Sequence, residues 1–142
     1  MRSTKLVLSV AVIIGALSFS LQADDVIKAN NTDALNLGTS WDEGVVPGAG
    51  DIAVWDNTVT GANVTDLGDN LEWLGIRVLN PGGNVSINDE NVLTLGAGGI
   101  DLSAATRNLS IHTAVAFGAD QFWTAQGGRT LSLSGRYRWG GL

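Results

Sequence analysis

The sequence contains no cysteine, so burial and backbone pairing must stabilise the protein without disulfides. Strong helix-forming residues are also scarce, with two lysines, three glutamates and three glutamines, whereas glycine occurs 19 times. The scarce residues are those that lose little side-chain entropy in a helix, and glycine favours turns. The composition therefore argues against a helical protein and indicates short strands joined by many turns.

Basic residues are few, with eight Lys and Arg against 14 Asp and Glu. Removal of residues 1–23 would leave 14 acidic and six basic residues, a net charge of −8. A chain this acidic is not suited to hold the phosphates of a nucleic acid, so we expect no nucleic-acid partner. It is instead suited to bind cations, or simply to remain soluble.

Residues 1–23 have the pattern of a secretory signal peptide. Arg2 and Lys5 give a positive start, Leu6 to Phe19 is an almost uninterrupted apolar run, and Leu21-Gln22-Ala23 precedes two aspartates. We expect cleavage after Ala23 and a mature protein that is secreted or held at the cell surface. The apolar run is shorter than the ~20 residues of a transmembrane helix, and an uncleaved anchor is the alternative.

A short step of an apolar residue followed by glycine recurs along the chain. It occurs at Leu67-Gly68-Asp69, Leu95-Gly96-Ala97 and Phe117-Gly118-Ala119. Strand-rich repeats at such intervals, roughly 20–30 residues, are typical of solenoids. Val85-Ser86-Ile87 and Leu109-Ser110-Ile111 lie about 24 residues apart, which supports a similar coil length. The sequence therefore predicts an all-β fold, a β-solenoid with a coil of about 25 residues.

Short apolar or alternating segments mark the expected strands. They are Ile52 to Trp55, Leu71 to Val78, Val85 to Ile87, Val92 to Leu95, Ile100 to Leu102, Leu109 to Ile111, Val115 to Phe117, Phe122 to Thr124 and Thr130 to Leu133. Apolar residues over 64–78 also fit helical spacing. Gly68 and Gly75 would each cost such a helix about 1 kcal/mol, which favours strands.

The chain divides into four segments on this pattern. We predict a signal peptide over 1–23, a leader and probable cap over 24–63, solenoid repeats over 64–135 and an atypical basic, aromatic tail over 136–142. Residues 24–31 are polar and weakly patterned, and we expect them to be loosely attached.

The segment Val92 to Ile111, with its sequel Gly128 to Gly135, resembles the autotransporter-associated β-strand repeat. Pro47-Gly48-Ala49-Gly50-Asp51 looks like the lead-in found in large exported bacterial proteins of this kind. The resemblance implies a right-handed parallel β-helix in a passenger region, of which this chain would be an N-terminal fragment. It implies a structural or surface-display function, no enzymatic activity and no catalytic, cofactor or metal-binding residue.

Partners follow from the same resemblance and from the length of the solenoid. The resemblance implies further repeats of a longer parent protein, with cell-envelope components or extracellular glycans as candidate ligands. A short stack also exposes strand edges at its ends, so we expect self-association through those ends.

A calcium-dependent glycan-binding or polysaccharide-lyase-like module is the alternative function. A coil of about 24 residues would place Asp66 and Glu90 one coil apart, with Arg107 as a candidate base. The single histidine, His112, should point outward because it follows Ile111 on an alternating strand. Trp73 and Trp123 are expected in the core.

Overall fold

The computed structural model describes residues 22–139, which form a β-solenoid of about five turns. The expected all-β solenoid is confirmed. Its strands are β1 (Asp24–Ile27), β2 (Asp51–Trp55), β3 (Asn63–Asp66), β4 (Leu71–Val78), β5 (Val85–Asn88), β6 (Val92–Leu102), β7 (Leu109–Ile111), β8 (Ala114–Phe117), β9 (Trp123–Ala125), β10 (Leu131–Leu133) and β11 (Tyr137–Trp139). A single turn of 3-10 helix spans Gly38–Ser40. Residues 1–21, most of the predicted signal peptide, and residues 140–142 lie outside the described residues.

Each full coil has three strand-bearing sides. One sheet follows the order β3-β5-β7-β10, and the other follows β1-β2-β4-β6-β8-β11, with β9 paired to β6. The long β6 belongs to two sides, because Val92–Leu95 pairs with β8 and Ile100–Leu102 pairs with β9. Every pairing between named strands is parallel, so each strand lies on the corresponding strand of the preceding coil.

The register between coils confirms two of the sequence repeats and corrects a third. Val85 pairs with Leu109, as their matching tripeptides predict, and Leu95 pairs with Phe117. The step at Leu67 does not belong to this series, because the residue that pairs with Leu95 in the preceding coil is Trp73. Leu67 lies at the corner after β3, where its N–H donates to the Asn88 carbonyl. The prediction that the steps at Leu67 and Leu95 are equivalent positions of successive coils is therefore wrong.

The core consists of inward-facing residues that stack from coil to coil. Ala53, Ile76 and Ile100 form one such column, and all are at most 1% exposed. Val85 and Leu109 form another on the β5–β7 side. On β5 and β7 the burial alternates, so Ser86 and Ser110 face outward between buried neighbours. On β2, by contrast, Ala53, Val54 and Trp55 are all buried. Residues 64–78 lie mostly in β3 and β4, so the strand prediction for this segment is confirmed and the helical alternative is wrong.

Glycines allow the sharp corner between the β8-bearing and β9-bearing sides. Gly75 and Gly99 pair with each other where the register of β4 against β6 shifts. Gly99 has a positive φ of 59°, and a Cβ there would lie 2.1 Å from the Phe122 carbonyl oxygen. A larger residue at Gly99 would therefore separate the last coils at this corner.

Residues 24–31 are part of the fold, and the expectation that they are loosely attached was wrong. β1 pairs with β2, and Lys28 is fully buried. The Lys28 ammonium donates to the carbonyls of Ala29 and Asn31 and to Asn31 Oδ1 at 2.8–3.0 Å. Burial lowers the pKa of Lys28 from 10.5 to about 8, against the opposing effect of Asp33.

Three tryptophans close the N-terminal end. The rings of Trp41 and Trp55 meet edge to face at 5.9 Å, and those of Trp41 and Trp73 at 5.7 Å. Trp41 Nε1 donates to the Leu35 carbonyl, and the Leu35 N–H donates to the Asp66 carbonyl at the edge of β3. The loop that carries Trp41 therefore covers both the core and part of a strand edge.

The first prediction concerns the inner face. Leu95→Asp should abolish folding, because Leu95 is fully buried and an unpaired charge there has no compensating partner. Ser110→Asp, on the outer face of β7, is the control and should remain folded. The test is circular dichroism with thermal melting. A folded, monomeric Leu95→Asp protein would show that Leu95 is not a core residue.

The second prediction concerns the N-terminal closure. Trp41→Ala should lower the free energy of unfolding by about 3–5 kcal/mol, because it removes a large buried ring. Trp41→Phe should cost less, since it keeps a ring between Trp55 and Trp73 and loses mainly the hydrogen bond. Chemical denaturation of the two variants makes the comparison. Equal losses would contradict a packing role for the ring.

Candidate functional site

A line of charged side chains crosses the outer surface of the side formed by β1, β2, β4 and β6. Arg77 Nη1 lies 2.6 Å from Asp25 Oδ2, and Arg77 Nε lies 3.7 Å from Asp101 Oδ2. Parallel stacking creates this arrangement, because Arg77 pairs in register with Asp101 and reaches across β2 to Asp25. The line joins three different coils through one guanidinium group.

Asp101 is held in its charged form by neighbouring donors. The hydroxyl and the N–H of Ser103 lower the pKa of Asp101 below 3.8, and Thr124 and Arg77 add to this effect. The Ser103 N–H lies 2.9 Å from Asp101 Oδ1, and Thr124 Oγ1 lies 3.1 Å from the same atom. Asp101 therefore connects its own coil to the following one rather than pointing into an open turn.

The alternative calcium site required Asp66 and Glu90 to lie at equivalent positions one coil apart, and the register of the strands does not place them so. Asp66 pairs in register with Asn88, so Glu90 is not its equivalent one coil later. Arg107 donates to the Gly82 carbonyl at 3.2 Å, at the corner before β7. The spacing that relates β5 to β7 does not relate β3 to β5, because the two coils differ in length.

Asp89 closes a corner between two coils. It has a positive φ of 117°, and its carboxylate accepts hydrogen bonds from the N–H groups of Gly68 and Glu90 and from the Asn91 amide. The Gly68 N–H is the largest cause of the lowered pKa of Asp89. The Asp89 carboxylate accepts from the Gly68 N–H, which has no carbonyl partner at this corner in a neighbouring strand. These hydrogen bonds stabilise the positive φ of Asp89.

His112 points outward, as predicted, and it contacts a serine of the following coil. His112 Nδ1 lies 2.6 Å from Ser134 Oγ. Asp89, Glu90 and Arg136 line the same surface hollow, of about 540 Å³. Among the described residues, His112 forms no hydrogen bond with a carboxylate of the kind that orients a catalytic histidine. The pair links two coils at an exposed corner.

An aromatic hollow of about 580 Å³ lies near the last described coil. Phe122 is 87% exposed there, and the rings of Phe117 and Trp123 stack at 5.4 Å. Trp123 continues the inward column of Ile100 but remains half-buried, so its predicted core position holds only in part. Trp73, by contrast, is fully buried, as predicted.

Asparagine side chains connect successive coils at corners of the solenoid. Asn84 Oδ1 accepts from the Asn108 N–H, and Asn108 Oδ1 accepts from the Thr130 N–H. Asn63 is different, since it lies in a strand and accepts from Trp55 Nε1 inside the core. Nothing in the residues that surround Asn63 in the sequence separates it from the corner asparagines.

Between residues 22 and 139, no group of three or more His, Cys, Asp or Glu side chains is arranged to hold a metal ion. No helix in that range is long and apolar enough to cross a membrane. No known family, curated protein or solved structure matches the chain.

The third prediction follows from the low pKa of Asp101. Its carboxylate contributes stability above its ordinary pKa of 3.8, and this contribution is lost as the pH falls through the lower folded-state pKa. Asp101→Asn should therefore cost roughly 1 kcal/mol at neutral pH and nothing once the carboxyl is protonated. Melting curves across the acidic range test this, with Asp120→Asn as the exposed control. A difference in melting temperature between Asp101→Asn and the unchanged protein that stays the same in acid would contradict this prediction.

Proposed function

We propose that this protein is an exported structural segment that displays a surface outside a bacterial cell, as an autotransporter passenger does, and that it has no catalytic activity of its own. Two features support the proposal: the signal-peptide pattern of residues 1–23 and the stacked-coil architecture of residues 24–139. The first supplies a route of export and the second supplies a stiff support.

The observation that carries the proposal is the position of the first strand relative to the expected cleavage site. β1 begins at Asp24, and Asp24 pairs in register with Asp51 of β2. Cleavage after Ala23 would therefore remove the apolar segment and leave every described strand in place. An export signal that ends where the first described strand begins is the arrangement expected of a protein that folds after translocation.

The function of such a segment depends on geometry. Parallel strands lie about 4.8 Å apart, so five coils form a short rod whose height is fixed by backbone hydrogen bonds. The corners between strands differ from coil to coil in length and side chains, whereas the sides remain regular. The corners would therefore carry the recognition of envelope components or extracellular glycans. The regular sides would hold the corners at fixed distances from one another.

The fourth prediction tests export directly. Residues 1–23 fused to an alkaline phosphatase that lacks its own signal should give phosphatase activity, because that enzyme needs an oxidising compartment to form its disulfides. Val12→Arg with Ile14→Arg in the same fusion should abolish the activity, since charges interrupt the apolar run.

The full chain completes this test. When it is expressed in the same bacterium, the mature protein should begin at Asp24 by mass spectrometry and should be digested by protease added outside the cells, provided that the host carries it across the envelope. An active fusion with an uncleaved, membrane-bound full chain would favour the anchor alternative. An inactive fusion would overturn the proposal.

A further inference from the structure

The single lysine of the described residues is buried without an anion to pair with it. Lys28 follows β1 and is fully buried, and its ammonium donates to two backbone carbonyls and to Asn31 Oδ1. The ion pairs among the described residues both involve Arg77, and neither reaches Lys28. A buried charge that lacks an opposite charge costs free energy. A reaction that removes the charge of Lys28 would therefore stabilise this part of the fold.

The side-chain amide of Asn31 is held directly beside this ammonium. Lys28 Nζ lies 2.8 Å from Asn31 Oδ1, and the Asp33 N–H donates to the same oxygen at 3.3 Å. Asn31 Nδ2 donates to the Thr39 carbonyl at 2.7 Å. These three contacts fix the orientation of the amide and hold its carbon, Cγ, next to Nζ.

The backbone around Asn31 keeps the two side chains together. The Asn31 N–H donates to the Ala29 carbonyl at 2.8 Å, which closes a tight turn after Lys28. The Asn31 carbonyl accepts from Asn63 Nδ2 at 2.8 Å, and Asn63 in turn accepts from Trp55 Nε1 inside the core. An amine and a carbonyl carbon held in this way need no search to meet, and such positioning is a large part of the acceleration of many reactions.

The environment of Lys28 also favours the reactive form of the amine. Only a neutral amine can attack a carbonyl carbon, and an exposed lysine with a pKa of about 10.4 is almost wholly charged near neutral pH. Burial lowers the pKa of Lys28 to about 8. A substantial neutral fraction is therefore present at mildly alkaline pH, as in other lysines that desolvation makes nucleophilic.

A carboxylate lies close enough to both groups to move a proton between them. The charge of Asp33 acts on the Lys28 ammonium, and Thr39 Oγ1 donates to Asp33 Oδ2 at 2.7 Å. Thr39 contacts Asn31 Nδ2 as well, through its carbonyl. The same residue therefore touches the carboxylate and the nitrogen that would leave, which is the arrangement that general acid–base catalysis needs.

We propose that Lys28 and Asn31 form an intramolecular amide bond in the folded protein. The ammonium first releases one proton, and the neutral Nζ forms a bond with Asn31 Cγ. The Cγ–Nδ2 bond breaks while Asp33 carries a second proton from Nζ to Nδ2, which leaves as ammonia and takes up the first proton in solution. Nothing is oxidised or reduced, and no further reactant is consumed. The product is a neutral secondary amide in place of a buried charge.

The bond goes beyond the proposed function and does not depend on it. It closes a loop of residues 28–31 alone, so little of its effect comes from restricting the unfolded chain. Its main effect is to remove the charge of Lys28 from the interior while keeping the contacts of the Asn31 backbone. The end of β1 would then be held to the core without a buried ammonium.

The fifth prediction is tested by mass spectrometry of tryptic peptides from the denatured full chain. The peptide that contains Lys28 should be lighter by the mass of one ammonia. The peptide bond after Lys28 should also resist trypsin, because the specificity pocket of trypsin binds a charged side chain and an acylated lysine has none. Both results come from one peptide whatever precedes it, so failure of this proposal is distinguishable from failure of export.

Variants identify the two partners and the proton carrier. Lys28→Arg keeps a site for trypsin and should be cut there with no loss of mass. Asn31→Ala should be cut after Lys28, also with no loss. Asp33→Ala should leave most chains unreacted, whereas Asp42→Ala, which removes another exposed carboxylate nearby, should react fully. A melting curve shows that each variant is folded before the comparison is made.

Two results in the unchanged protein would overturn the proposal. The first is a peptide of full mass that trypsin cuts after Lys28. The second is a loss of ammonia with normal cleavage after Lys28, since Asn31 would then have reacted with the backbone rather than with the amine. Equal conversion of Asp33→Ala and Asp42→Ala would overturn the role of Asp33 as proton carrier.

Discussion

The parallel hydrogen bonds between successive coils are the constraint on which the rest of the structure depends. They fix the distance between coils at about 4.8 Å, and side chains in register must then stack on one another at that spacing. Small and branched apolar residues stack well in this way, as the column of Ala53, Ile76 and Ile100 shows. The same register places Arg77 beside Asp101 on the outer surface. Core and surface therefore follow from one backbone arrangement.

At the corners and ends of the solenoid, backbone N–H and C=O groups have no partner in a neighbouring strand. At the corners, side chains replace backbone partners, as Asp89 does for Gly68 and Asn84 does for Asn108. At the N-terminal end, Trp41 covers the core and the backbone around Leu35 covers part of β3. The described residues give the other end no comparable cover, since Ala125 in the last inward column is exposed.

The sequence predicted the strands because their signal is local. Leu71–Val78 and Leu109–Ile111 have the expected bounds, and their alternation is visible within a few residues. The register was harder, because coil length varies with the corner that each coil must turn. A constant coil length placed Glu90 opposite Asp66, whereas the first of these coils is shorter, because its step from Trp73 to Gly75 pairs with the longer step from Leu95 to Gly99, and Asn88 lies opposite Asp66. Pairing between particular acids is sensitive to such a small error in register.

Lys28 and β1 show a second limit of prediction from sequence. The segment Asp24 to Asn31 is polar and has no apolar alternation, so nothing in it marks a strand or a buried lysine. It is ordered because β2 offers an edge and because the carbonyls of Ala29 and Asn31 surround the Lys28 ammonium. These partners come from the fold, and an isolated segment does not contain them.

The unequal distribution of charge has a physical consequence that a globular fold would not give. In a compact domain, residues distant in sequence mix on one surface, and a charge bias along the chain largely averages out. In a solenoid, sequence position maps onto height, so the acidic first coils and the arginines after residue 106 remain apart. Self-repulsion among the acids then raises the energy of the N-terminal end, and the Arg77 guanidinium beside Asp25 offsets part of it. The solenoid therefore preserves a bias in the sequence as a difference between its two ends.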